Sequence, residues 1–256
     1  RALARPFADP QVGGVAGSQR YQPAGQAGVS SGGEKLYWNF DELLKAYQSR
    51  AGSVTSATGA IYALRRSLYQ PIPTTVGDDF TISTGVVEQG YRLVFATDAV
   101  SYEPVEAKSA VEFGRKLRII SQGLRGIWLR RALLNPLQHG FYALQLFSHK
   151  LLRRLMFLPL LVLLVASPLL WNEGLLYRAA TLTQAAFYAA ALLGLALERA
   201  PSVRLQLPRP VVKILSIPYF FCVVYVASLI ATWNTLRGHR VDRWESRRAG
   251  VSARET

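Results

Sequence analysis

Two adjacent carboxylates, Asp78 and Asp79, stand in the stretch TTVGDDFTIS (74–83), between a glycine and a phenylalanine, at the head of a segment with helical spacing. A carboxylate held against a substrate hydroxyl can take its proton as the oxygen attacks. Aspartates are also ordinary residues at helix starts, where free backbone N–H groups and the helix dipole favour the ionised side chain. Taken locally, the pair supports either reading. Other residues of this kind are sparse. His139, His149 and His239 are scattered beside basic or loop residues and lack metal-ligand spacing. Cys222 is the single cysteine, which rules out an intrachain disulfide or a thiolate cluster. No Walker loop, GxGxxG, HExxH or GxSxG occurs. The cations Arg115, Lys116 and Arg118 cluster in EFGRKLRI (112–119), where charge on a solvated or membrane-facing helix is the plain reading.

The elements that must position these residues alternate between α and β over residues 1–120. RALARPFAD reads as the end of a helix and VGGVAGSQRY as a short strand whose glycines let other backbone come close. QPAGQAGVSSGG is a loop composition. EKLYWNFDELLKAYQSRAG has helical spacing at Leu36, Phe40, Leu43, Leu44 and Tyr47, closed by Gly52. TGAIYAL reads as a buried strand, and DDFTISTGVVEQG as a helix ending near Gly90. YRLVFAT and AVSYEP read as strands or extended segments. A partial α/β sheet domain is expected. From Ser109 a basic amphipathic helix follows, with Ser109 and Glu112 in capping-box spacing. Its apolar stripe is Phe113, Leu117, Ile120, Leu124, Ile127 and Trp128, which suits a membrane surface or packing on the α/β domain.

The chain is 50% hydrophobic yet carries a formal charge of +14, a combination that points to a nucleic-acid binder or to a membrane protein with basic flanks. Three uncharged apolar runs, 155–171, 179–197 and 214–233, favour the membrane, since a spanning helix needs about 20 apolar residues. Lys150, Arg153 and Arg154 before the first run, and Arg199, Arg204, Arg209 and Lys213 after the second, mark cytoplasmic ends. Three full spans would carry the basic tail RGHRVDRWESRRAG across, against that rule, and Pro218 interrupts the third run. One of the three segments is therefore expected to be re-entrant, interfacial or broken. No secretory signal is visible, the chain opens on Arg1, and its single methionine is Met156, so it reads as part of a longer protein.

SATGAIYALRR (56–66), GDDF (77–80), EFGRKLRI (112–119), SHKLLR (148–153) and LRGHRVDRW (236–244) occur here in the order found in processive family-2 glycosyltransferases. The chain resembles the C-terminal two-thirds of a bacterial membrane-bound enzyme of that family, whose relatives include cellulose, hyaluronan and poly-N-acetylglucosamine synthases. The resemblance implies the C-terminal portion of a GT-A (Rossmann-like) domain, then an amphipathic interface helix and transmembrane helices. The expected divisions are an acceptor-side catalytic part (1–108), interface helices (109–150), a membrane region (151–235) and a basic tail (236–256). It implies inverting transfer from a nucleotide sugar, most simply a UDP-sugar, to a glycan or lipid-linked acceptor at the cytoplasmic face of the bacterial inner membrane. Membrane lipids are partners on this reading, and nucleic acid is not.

Carried over residue by residue, the resemblance makes Asp79 the general base and Asp78 its acidic neighbour. Arg118 matches the arginine of a Q-x-x-R-W-type motif, so Arg118, Arg115 and Lys116 would attend the donor diphosphate. Ile119 stands where polymer-making relatives carry a tryptophan that stacks on the acceptor, which leaves single-sugar transfer open. Gly59 and Glu103 would lie on the acceptor side. The resemblance also implies a divalent cation, Mg2+ or Mn2+, bound by a D-x-D motif that this chain does not contain. The 256 residues alone would then be inactive.

Overall fold

The computed structural model describes residues 1–22, 32–104, 109–200 and 208–239. Most of the loop QPAGQAGVSSGG, the segment 201–207 with Arg204, and the tail from residue 240 lie outside the described residues, as do the side chains of Glu103 and of the Ser109–Glu112 pair.

Arg5–Ala8 form a single 3-10 turn with Pro6 in its first turn, where a longer helix end was expected. β1 (Val12–Gln22) follows, then α1 (Gly32–Ala51), β2 (Tyr62–Leu64), α2 (Asp78–Glu88) and β3 (Arg92–Pro104). The sheet has the order β2-β1-β3, with β1 antiparallel to β2 and parallel to β3. This mixed sheet flanked by helices is the α/β class expected of the chain. β2 is shorter than TGAIYAL and half-buried rather than buried, as befits an edge strand. YRLVFAT and AVSYEP join into the single strand β3. Its register against β1 jumps from Gly17↔Ala96 to Ser18↔Val100, so a bulge absorbs the polar Thr97-Asp98 step that looks like a strand break in sequence.

Each face of the sheet buries its own cluster. Val12, Val15, Val94, Ala96 and Ala99 pack with Ala2, Leu3 and Phe7 on one side. On the other, Ala16 and Leu93 meet Phe80 and Val87 of α2 and Ile127 of α3 (Ser109–Leu129). Leu133, Tyr142 and Leu146 complete this second cluster, the last two from α5 (Phe141–Leu146), which follows the short α4 (Pro136–His139). Fully buried side chains such as Leu93 and Leu146 contribute about 1.5–3 kcal/mol each relative to exposure. Within the expected stripe of α3, Ile127 is buried but Trp128 is 70% exposed. Gly126 and Gly123 take the inward positions there, so α3 sits closer to the body than a Trp-faced helix could.

After α5 the chain forms a π-helical turn (Phe147–Leu152), then α6 (Arg153–Leu155) and α7 (Phe157–Leu169), with a 52° bend at the break between 155 and 157. α7 has 13 residues, about 20 Å, against the ~30 Å of a bilayer core. The first apolar run therefore does not make a straight span by itself; with the preceding helix it forms a bent pair, a broken span or a re-entrant loop. α8 (Leu175–Arg199) and α9 (Arg209–Leu236) are each long and apolar enough to cross a membrane, and α9 continues through Pro218. α9 packs against both α8 and α3.

Candidate active site

α2 begins where the sequence places it. Gly77 caps it with extended backbone, and Asp78 and Asp79 occupy its first turn. It ends at Gly90, whose φ of +84° is a conformation glycine takes without strain. On its buried face Ser83 and Thr84 are bonded within the protein, while the buried Thr81 hydroxyl has no hydrogen-bond partner among the described residues. Ser83 Oγ donates to Phe80 O and accepts from Ala57 N at 3.0 Å, which ties the loop 53–59 to the helix. Thr84 Oγ1 donates to Phe80 O at 2.8 Å.

Arg130, at the end of α3, fixes α2 in place. Its guanidinium is buried, pairs with Glu88, and donates to Gln70 Oε1 at 3.0 Å and to Thr81 O. It lies across Gly85, where a Cβ would come within 2.5 Å of Nη2. One helical turn earlier Gly126 meets Phe80, and a Cβ there would lie 2.9 Å from Cδ1. Two glycines and one buried arginine thus set the α2–α3 spacing, and with it the position of Asp79.

At the open end of α2, Asp78 is exposed and Asp79 half-buried. Asp79 Oδ1 accepts from Phe80 N at 2.7 Å, satisfying one of the free N–H groups of the first turn. Its other oxygen, Oδ2, faces Gly59, 3.8 Å from where a Cβ on that residue would sit. Gly59 is exposed, and an added methyl would make only ordinary contact, so glycine is not sterically required there. Asp79 therefore caps its helix with one oxygen and presents the second to an open surface beside Gly59. Tyr62, at the start of β2, is held protonated by burial and then by the charges of Asp78 and Asp79, which places a neutral phenol beside the pair.

Two cations that the sequence marks as flanks of the first apolar run, Lys150 also within SHKLLR, have electrostatic effects that reach this end. Lys150 and Arg154 both interact electrostatically with Asp79. Lys150 keeps some surface but is packed on most sides. Burial first, then the charges of Arg154 and Lys45, lower its ammonium to about 8, while Asp79 and Asp41 oppose the shift. Arg154 is seated against Gly123 of α3, where a Cβ would lie 2.8 Å from Cζ, and its Nη1 donates to Lys150 O at 2.8 Å. Burial lowers its pKa too, though a guanidinium stays charged.

A family model described as glycosyl transferase family group 2 matches residues 1–197. The chain belongs to this family. Among solved structures it is similar to the mannosyltransferase PcManGT from Pyrobaculum calidifontis, solved in complex with GDP-Man and Mn2+, at 20% identity and a TM-score of 0.46. The match covers 90% of this chain and 55% of that one, so the chain spans little more than half the length of that relative. No curated protein matches it.

The remaining expected site residues of this family-2 chain lie further along α3 and β3. Lys116 stacks over the Phe220 ring of α9 at 4.4 Å, and Arg115 is exposed. Arg118 is half-buried, about 12 Å along the helix from Gly126. It shares a helical stripe with Arg125, which donates to Thr75 O three residues before Asp78. Glu103 sits at the end of β3, in register with Tyr21. The structure thus gathers Asp78, Asp79 and Gly59, and sets Arg115, Lys116, Arg118 and Glu103 on neighbouring elements. Among the described residues, no three His, Cys, Asp or Glu side chains group as a metal site. The Asp78–Asp79 pair alone does not make one.

Proposed function

We propose that this family-2 chain carries the acceptor-activating part of an inverting glycosyltransferase that uses a nucleotide-sugar donor, with Asp79 as general base. The observation that carries the reading is the division of labour at Asp79: Oδ1 is held by Phe80 N while Oδ2 faces the open surface at Gly59. A sugar hydroxyl is a weak nucleophile, and a fixed carboxylate within hydrogen-bond reach of its proton is the economical remedy. The acceptor oxygen bonds to the anomeric carbon, its proton passes to Asp79, and the bond from that carbon to the diphosphate breaks. A nucleoside diphosphate leaves and the configuration inverts.

Asp78, exposed in the same turn, adds negative charge without touching the acceptor. Arg118, with Arg115 and Lys116, supplies positive charge along the approach of the diphosphate. A divalent cation belongs to the donor site of such enzymes and would neutralise the leaving diphosphate; no residue described here is assigned to it. The divisions proposed are the catalytic part (1–108), interface helices (109–150), membrane region (151–235) and basic tail (236–256). On this reading the enzyme is a bacterial cytoplasmic-membrane protein, its catalytic part on the cytoplasmic side and its acceptor a growing glycan or a lipid-linked molecule; the support is that α8 and α9 are each long and apolar enough to cross a membrane. Ile119 in place of an acceptor-stacking aromatic favours single transfer.

Asp79→Asn in the full-length enzyme is the test. Transfer is expected to fall by about 10²–10⁴-fold while nucleotide-sugar binding survives. Turnover near the wild-type rate would remove Asp79 from the role of base.

A further inference from the structure

α9 ends in a defined cap. Gly238 has a φ of +71° and donates its N–H to Thr235 O, while His239 N donates to Asn234 O at 2.9 Å. This pair of bonds around a left-handed glycine closes the helix and fixes the backbone of His239. Arg125 of α3 holds that backbone from outside. Its Nη2 donates to His239 O, and its Nη1 donates to Thr75 O at 3.5 Å. One planar guanidinium therefore joins the end of α9 to the stretch 69–77, which leads into α2 and is neither helix nor strand. Within that stretch Val76 is buried, but Thr74 is exposed and Thr75 only half-buried. Irregular backbone at a surface keeps one geometry where ties from other elements offset its conformational entropy. α3 is a firm base for such a tie. Gly126, the next residue, meets Phe80 of α2, and Lys116 lies over the Phe220 ring of α9 at 4.4 Å.

We propose that Arg125 is a positioning residue for the general base and couples it to the end of α9. The proposal rests on the reading of Asp79 as that base. Arg125 acts through Thr75 O, which lies just ahead of the capping residue Gly77. Holding Thr75 fixes where α2 begins. With it goes the first turn, in which Asp79 Oδ1 meets Phe80 N and Oδ2 faces Gly59. The guanidinium suits the task, because its rigid fork meets two carbonyls at a fixed spacing, which a single ammonium does not impose. Arg130, further along α3, secures the body of α2, and Arg125 secures the approach to it.

Two readouts on the full-length enzyme in detergent test this. Thr74→Cys and Leu236→Cys, both at exposed positions, carry nitroxide labels in a Cys222→Ala background. One guanidinium reaches both segments, so dipolar broadening between the labels is expected, and Arg125→Gln is expected to weaken it. In unlabelled enzyme Arg125→Gln is expected to lower kcat about tenfold or more, the cost of a small displacement at a catalytic group. KM for the nucleotide sugar should stay within about twofold, because donor contacts are untouched. Arg125→Lys keeps the charge without the fork and should fall between that variant and wild type. Arg131→Gln, which removes an exposed cation further along the chain, should change neither readout. Rates are compared at a temperature where melting curves show every variant folded. Unchanged broadening in Arg125→Gln would overturn the coupling to α9, and wild-type kcat in that variant would overturn the positioning role. The label readout needs no turnover, so it stands apart from the fate of Asp79 as the base.

Discussion

The two ends of α2 are built on opposite principles. At its C-terminal end the charged groups answer each other. Arg130 is buried, paired with Glu88, bonded to Gln70 and Thr81, and laid over a glycine. At its N-terminal end, eight to ten residues away, two carboxylates stand in one turn, one of them exposed and the other only half committed to its helix. Lys150 and Arg154 approach the same end without direct ion pairing to Asp79. The closed end holds the helix still, and the open end offers charge to something outside the chain. A buried network that is fully satisfied rigidifies, whereas charge left open at a fixed helix start is available for chemistry.

This contrast can be broken from either side. The largest stability effect belongs to the closed end. Arg130→Met strands Glu88, and a loss of about 3 kcal/mol is expected in thermal or denaturant unfolding. Adding Glu88→Gln should recover part of that loss, since it removes the stranded charge. Gly126→Ala pushes a methyl into Phe80 and should cost about 1–3 kcal/mol, also displacing Asp79. Gly59→Ala, which meets only ordinary contacts at the open end, should stay within about 0.5 kcal/mol of wild type by the same measurement.

The open end should respond to pH where the closed end does not. Folding holds Lys150 at about 8 against an ordinary 10.5, by burial and by the cations Arg154 and Lys45, opposed by Asp79 and Asp41. The folded state therefore binds fewer protons than the unfolded one between those values. The cost of burying the charged ammonium is fully present below pH 8 and is relieved as pH rises through that window, so this group makes stability increase there. Lys150→Arg should flatten that trend. The smallest effect is expected from Asp78→Asn. Removing an exposed charge from the helix start should lower transfer only about 2- to 5-fold, the scale of one dipole interaction.

Much of this frame is visible in the chain itself. Helical spacing with Gly52 and Gly90 as stops marks α1 and α2, and the aspartate pair falls at the start of α2 because Gly77 and the acidic first turn favour it. Long charge-free runs mark α8 and α9. What sequence leaves hidden depends on contacts between distant residues. Arg130 looks like one more charge on a basic helix until α2 is packed against it. Lys150 and Arg154 look like flanks of an apolar run, and only the π-helical turn and the glycine at 123 bring them to Asp79, some seventy residues earlier. The bulge that joins two apparent strands into β3, and the bend that shortens the first apolar run, likewise arise from packing and not from local composition.

The central claim is that the two aspartates of one helical turn differ in kind. Transfer rates of Asp79→Asn and Asp78→Asn, measured side by side in the full-length enzyme at saturating donor, test it most directly. The expected result is a gap of about 20-fold or more, with Asp79→Asn the slower and both proteins folded. Equal rates for the two variants would contradict the assignment of Asp79 as the base.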